Sequence, residues 1–355
     1  MEKVTRPDLP AGALVNSERP ALASVYAVAG RFICAEAVDD DSALLLRRYF
    51  AGWHVSRLAD ARGIDPDATL TLKSGQALPH APRGFETFET AGGGICYTDG
   101  RTYFFQSNGS VVRVGGDSPK RIEVWIGADL ASRERAALAR LIFDASMTAM
   151  RRCGLFELHG AGLVEPLSGD GVLIVGPSGS GKSTLATQLA SVGWRYLSDD
   201  SLLLYEHGPA IEARALRREF ALTERTVAAG VLEGYEDRLE TPAPFDPQKR
   251  RFEPQAVFPD RFVESSIPRA VFFPAVTHEA SSRVLSLSQA ETMRRLIRMC
   301  PWACYDKPAA KAYLDVLAGL ARQAVGFELQ AGRDLFGNAG FASDFMRGCV
   351  EGEEK

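Results

Sequence analysis

The sequence predicts an α/β protein in two parts: a β-rich N-terminal domain over residues 1–128 and a strand–loop–helix core over 129–340, followed by a flexible tail at 341–355. Three observations carry that reading. The apolar run GVLIV (171–175) leads into a glycine-rich loop and then a helical pattern. Strands and amphipathic helices follow the loop, among them RAVFFPAV and the helical stretches 288–300 and 308–324. Before it, short β-branched and aromatic runs alternate with turn residues.

In chain order, residues 1–20 are rich in Pro, Ala and charge and read as a loose arm. ASVYAVAGRFICAEA then has the composition of two strands around a Gly-Arg turn, and ALLLRRYFAGW (43–53) that of a short amphipathic helix. Residues 94–115 place Asp99-Gly100 and Asn108-Gly109 between apolar runs, the signature of a hairpin meander, and RIEVWIG adds a strand. From 132 to 154 the period changes. Ala136, Leu138, Leu141, Ile142 and Ala145 fall at helical spacing, with Ser132 placed to cap the start and Gly154 to end it. This helix is expected to open the second domain. FELHGAGLV reads as one strand, SGDG as a turn, VLIVG as a strand, KSTLATQLASVG as a helix and WRYLS as a strand. LLLYEHGPAIEARAL reads as two strands around His207-Gly208. A polar, Pro-rich stretch (232–268) precedes RAVFFPAV, and after the two helices comes the strand VGFELQAG. The last residues, ending GEEK, read as a frayed tail.

Composition sets the class. The 355 residues are 46% hydrophobic and 24% charged, as in an ordinary globular protein, with a net charge of −4 that gives no general electrostatic case for nucleic acid. No run of 18 apolar residues predicts a membrane span, and the opening MEKVTRPDLPAGAL lacks the apolar core of a signal peptide. Of the six cysteines only Cys300 and Cys304 are close, with no histidine nearby to complete a zinc site. Free thiols in a reducing, cytoplasmic setting are the expectation.

The chemistry concentrates at 158–200. Residues Gly176-Pro177-Ser178-Gly179-Ser180-Gly181-Lys182-Ser183 fit G-x-x-x-x-G-K-[ST] at every fixed position, between the strand and the helix that this phosphate-loop (Walker A) motif requires. Glycines let the backbone curl so that successive N–H groups point at phosphate oxygens, and the helix N-terminus adds partial positive charge. Lys182 is placed to reach the β/γ-phosphates of ATP, the Ser183 hydroxyl to ligate Mg²⁺, and Thr184 closes the motif. Asp199-Asp200 end the next strand, 17 residues after Lys182. In a parallel α/β sheet the carboxyl ends of strands line the ligand crevice. One helix and one return strand therefore bring the two acids toward the terminal phosphate. One job there is holding Mg²⁺; another is accepting the proton of an attacking hydroxyl. Asp-Asp-Ser is also ordinary turn chemistry, but the strand in front favours a site. His159-Gly160 is expected on a strand that pairs by a tight turn with the loop-feeding strand, beside the loop, where an imidazole can contact phosphate or an aspartate. His54, His80, His207 and His278 have no partners at catalytic spacing.

Taken together, LHGAGLV, GVLIVGPSGSGKSTLATQLASVGWRYLSDD and the hairpin after them resemble the HPr kinase/phosphorylase family, well over 155–206 and loosely over 130–335. The resemblance implies a phosphate-loop fold akin to the nucleotide-binding part of phosphoenolpyruvate carboxykinase. It implies ATP-dependent phosphorylation of a serine hydroxyl, with His159, Lys182, Ser183, Asp199 and Asp200 at active-site positions and one aspartate as base, the other near the metal. It also implies a homo-oligomer. Where the family's loop ends Gly-Lys-Ser-Glu, this chain has Thr184, and the family's later phosphorolysis signature is absent. The expected reaction is transfer from Mg·ATP to a hydroxyl, foremost a serine of a peptide or protein and second a small metabolite. A nucleotide-dependent switch without transfer is the competing class. Lys249 and Arg250, in the polar stretch FDPQKRRFEP, and Arg217, in RALRREF, are further candidates for phosphate or substrate contact.

Overall fold

The computed structural model describes residues 22–352 except 75–77, 90–93, 108, 116–117, 128–134, 241–247 and 278. The expected arm at 1–20, the Ser132 cap, Asn108 and His278 lie outside the described residues. The architecture is α/β, with no helix among the described residues long and apolar enough to cross a membrane.

The N-terminal meander builds a nine-stranded sheet. Ala23–Val28 and Arg31–Ala37 form its first hairpin, and Ile95–Thr98, Tyr103–Ser107, Ser110–Gly115 and Ser118–Ile126 its antiparallel run. Asp99 Oδ1 accepts the backbone N–H groups of Arg101 and Thr102, which fixes the Asp-Gly turn. Sequence reading passed over Ala68–Ser74, the strand that joins these halves by parallel pairing on both sides. Its Leu70 and Leu72 alternate with Thr69 and Thr71, a period-2 signal that was there to be read.

The helix Arg135–Arg152 corrects an expectation. Rather than opening the second domain, it lays Leu141, Ile142, Ala145, Met147, Ala149 and Met150 into the same hydrophobic cluster as Val112, Val114, Ile122 and Val124 of the N-terminal sheet. Its apolar face is wide, and the sheet face it covers would otherwise be open. Leu203 and Leu216, from the core, also enter this cluster. The two halves are therefore joined by packing.

The core is a six-stranded sheet in the order Arg195–Ser198, Gly160–Val164, Gly171–Val175, Pro268–Val276, Val325–Ala331, Arg283–Leu287. It is mixed rather than parallel: Gly160–Val164 runs against both its neighbours, and the edge strand Arg283–Leu287 runs against Val325–Ala331. Val172 and Ile174 face one hydrophobic cluster with the helix Lys182–Ser191, while Leu173 and Val175 face another with the helix Lys307–Gln323. Both faces are covered, which is why GVLIV is apolar throughout.

FELHGAGLV, expected as one strand, is two. Phe156–Leu158 pairs with Leu202–His207 in a separate four-stranded sheet, Gly160–Val164 joins the core sheet, and His159 is the crossover between them. The expected tail is also corrected. Ala339–Glu351 is a helix, capped by Asn338 accepting from Phe341 N–H, and it buries Ala342, Phe345 and Met346 against the cluster that holds Leu185 and Leu189. The polar GEEK ending hid the apolar spacing just before it.

Candidate functional site

The strand directions decide what meets at the edge of the core sheet. Gly160–Val164 lies between the loop-feeding strand and Arg195–Ser198 and opposes both, with Gly160 facing Val175 and Gly162 facing Ser198. Its amino end therefore shares an edge with the carboxyl ends of its neighbours. His159, the loop from Gly176 and the Asp199-Asp200 pair emerge there side by side.

In the loop, Gly179 (φ 83°) and Gly181 (φ 94°) hold left-handed backbone that side-chain-bearing residues rarely adopt. A Cβ on Gly181 would also stand 2.7 Å from the Phe336 ring. Lys182 is buried, and its Nζ donates to the carbonyls of Gly176 (2.7 Å) and Pro177 (2.9 Å). Burial lowers its pKa, with Lys249 adding to the effect, and Asp199 and Asp200 oppose it. The Ser180 hydroxyl is buried with no hydrogen-bond partner. Thr184, expected among the nucleotide contacts, has its hydroxyl 3.1 Å from that of Thr226.

The two aspartates separate in character. Asp199 has 0% exposure; its Oδ1 accepts the Ser183 hydroxyl (3.0 Å) and its Oδ2 the Ala221 N–H (3.3 Å). Burial and the neighbouring Asp200 push its carboxyl up to about 6. Asp200 takes left-handed backbone (φ 71°), and its side chain is 34% exposed. Burial pushes its carboxyl up, but Arg217, His159, Lys249 and Lys182 outweigh that and hold it below the usual carboxylate range. His159 Nδ1 stands 3.0 Å from the Asp200 carbonyl oxygen, so Nδ1 carries the proton and donates; the same nitrogen is 3.4 Å from Asp200 Oδ1. Burial lowers the His159 pKa, against the pull of Asp200.

Of the further cations, Arg217 Nε lies 3.7 Å from Asp200 Oδ2. Lys249 opens the strand Lys249–Phe252 opposite Thr223 and acts electrostatically on Asp200, His159 and Lys182. Arg250, the next residue, instead donates to the carbonyls of Leu239 and Glu240. Successive strand residues face opposite ways, so Lys249 and Arg250 cannot both serve the site. Sequence reading missed Ala221 and also Ser198, whose hydroxyl donates to Arg217 O (2.9 Å) and accepts from Arg217 N–H (3.1 Å). Nothing in an isolated Ser or Ala announces such contacts.

The residues present fit Mg·ATP on three counts: a Ser183 hydroxyl hydrogen-bonded to the Asp199 carboxylate, an unpartnered Ser180 hydroxyl within the glycine loop, and a buried lysine that bonds loop carbonyls. No group of three His, Cys, Asp or Glu among the described residues forms a metal cage.

Neither a family model nor a curated protein matches the chain. Among solved structures it is similar to the HPr(Ser) kinase/phosphatase from Coxiella burnetii, at 11% identity and a TM-score of 0.29, over 54% of this chain and 95% of that one.

Proposed function

We propose that the protein is an ATP-dependent phosphotransferase that moves a phosphoryl group to a hydroxyl, foremost a serine of a peptide or protein. The observation that carries this reading is the Ser183–Asp199 hydrogen bond beside a partly exposed Asp200, at the same sheet edge as Lys182 and the glycine loop. Mg²⁺, when bound, draws charge off the phosphates. Ser183 and Asp199 would hold the metal, since Asp199 is too deeply enclosed to touch an acceptor. Lys182 would exchange its loop carbonyls for phosphate oxygens. Asp200, ionised across the neutral range and reachable from solvent, accepts the hydrogen bond and then the proton of the incoming hydroxyl. His159 fixes the Asp200 backbone through its Nδ1–H, and Lys249 adds positive charge where the transferring group carries negative charge.

The test is incubation with γ-labelled ATP and candidate peptides, followed by mass spectrometry. Phosphoserine in the product supports the assignment, and Asp200→Asn should abolish it while nucleotide still binds. Nucleotide-dependent partner affinity with no phosphorylated product would make the protein a switch instead.

A further inference from the structure

We infer that Phe143, on the helix of the N-terminal layer, is a positioning residue for the transfer site: its ring holds the Arg217 guanidinium against Asp200, so that the N-terminal layer completes the site. This rests on the phosphotransfer reading of that site.

The Arg217 backbone is fixed from two directions. On one side Trp53 and Arg217 form an antiparallel bridge, His54 N–H donates to Leu216 O (2.7 Å), and Arg218 donates from N–H to Gly52 O (3.1 Å) and from Nε to Trp53 O (2.9 Å). On the other, the Ser198 hydroxyl bonds Arg217 N–H and O, one residue before Asp199. The side chain is held less directly. Its Nε is buried without a hydrogen-bond partner, and 3.7 Å to Asp200 Oδ2 is an ion-pair distance, too long for a hydrogen bond. What grips the guanidinium is the Phe143 ring, whose centroid lies 5.2 Å from Cζ. Trp53 packs edge-on to that ring at 6.2 Å and keeps it in place. Arg140 also approaches the ring, at 5.8 Å, but its Nε is hydrogen-bonded to Asp144 at 3.2 Å and its side chain is 56% exposed.

Two readouts test the inference in the full-length chain. In kinetics, Phe143→Leu keeps apolar volume and removes the aromatic face. It should lower kcat roughly 3- to 30-fold, the range of a cation–π contact, with KM for ATP within about twofold, and Phe143→Trp should restore kcat. Arg217→Lys, which keeps charge without the planar group, should show the same kcat loss should Phe143→Leu fold poorly. Wild-type kcat in Phe143→Leu, or a loss shared equally by kcat, nucleotide affinity and melting temperature, overturns the inference. The second readout needs no activity. The Arg217 Nε–H signal in a ¹⁵N spectrum, identified by its loss in Arg217→Lys, should move on Asp200→Asn, and should stop responding in the Phe143→Leu background. An Arg217 signal indifferent to Asp200, or equally responsive without the ring, overturns it. A wild-type chain that transfers no phosphate removes the kinase reading alone, because the spectrum still decides the contact.

Discussion

Because burial and Asp200 push the Asp199 carboxyl from 3.8 to about 6, the folded protein binds a proton more tightly there than the unfolded chain does. That contribution to stability is full below pH 3.8 and is lost as pH rises through 6, a cost of up to about 3 kcal/mol at neutral pH. Asp199→Asn removes the titration. In denaturant melts without nucleotide, the variant should gain on wild type between pH 4.5 and 7.5 by up to that amount, while losing Mg²⁺-dependent nucleotide binding in calorimetry. Equal pH slopes in the two proteins would refute it. Lys182→Ala should abolish nucleotide uptake in the same experiment, since no other ammonium group lies buried in the loop. At this scale the sequence was most legible: Lys182, Ser183 and the aspartate pair have fixed spacings set by one strand, one loop and one helix. Arg217 was a candidate from sequence, but its meeting with Phe143 was not legible, because it joins segments far apart in sequence and depends on packing between layers.

Elements were legible where a local period spoke for itself. The meander, the helix after the loop and Lys307–Gln323 all follow from apolar spacing and turn residues. Ala339–Glu351 escaped because its spacing, Ala342, Phe345, Met346, is short and ends in charge, yet it seals the outer face of the helix that begins at Lys182. Met346→Ala, at 0% exposure, should therefore lower stability by about 2–5 kcal/mol, measured by denaturant unfolding. A loss under 1 kcal/mol would return this segment to the status of a tail. The break at His159 was illegible for a different reason: FELHGAGLV has one continuous β pattern, and only the competing partners Leu202–His207 and Gly171–Val175 divide it.

Across the whole molecule, the α/β class could be read, but the junction between the N-terminal sheet and the core could not. His54, which had no partner by spacing, stacks on Phe262 at 4.2 Å and 15° between the layers. Burial, with Arg218 and Arg214 nearby, lowers its pKa to about 4. A depressed histidine stabilises the fold while neutral, and the benefit drains away as pH falls from 6.5 through 4. Acid should therefore loosen the seam first. His54→Phe keeps the ring and should flatten the fall in stability between pH 6.5 and 4.5, read by urea melts; an unchanged acid limb would assign that sensitivity to other groups.

The left-handed turn at Asp200 (φ 71°) narrows how this position can be interrogated. Asparagine settles into such a backbone readily, whereas alanine, glutamate and leucine resist it. An alanine exchange would mix a bent peptide with a missing carboxylate and mislead whoever relied on it. The amide replacement leaves the scaffold undisturbed and silences the chemistry alone.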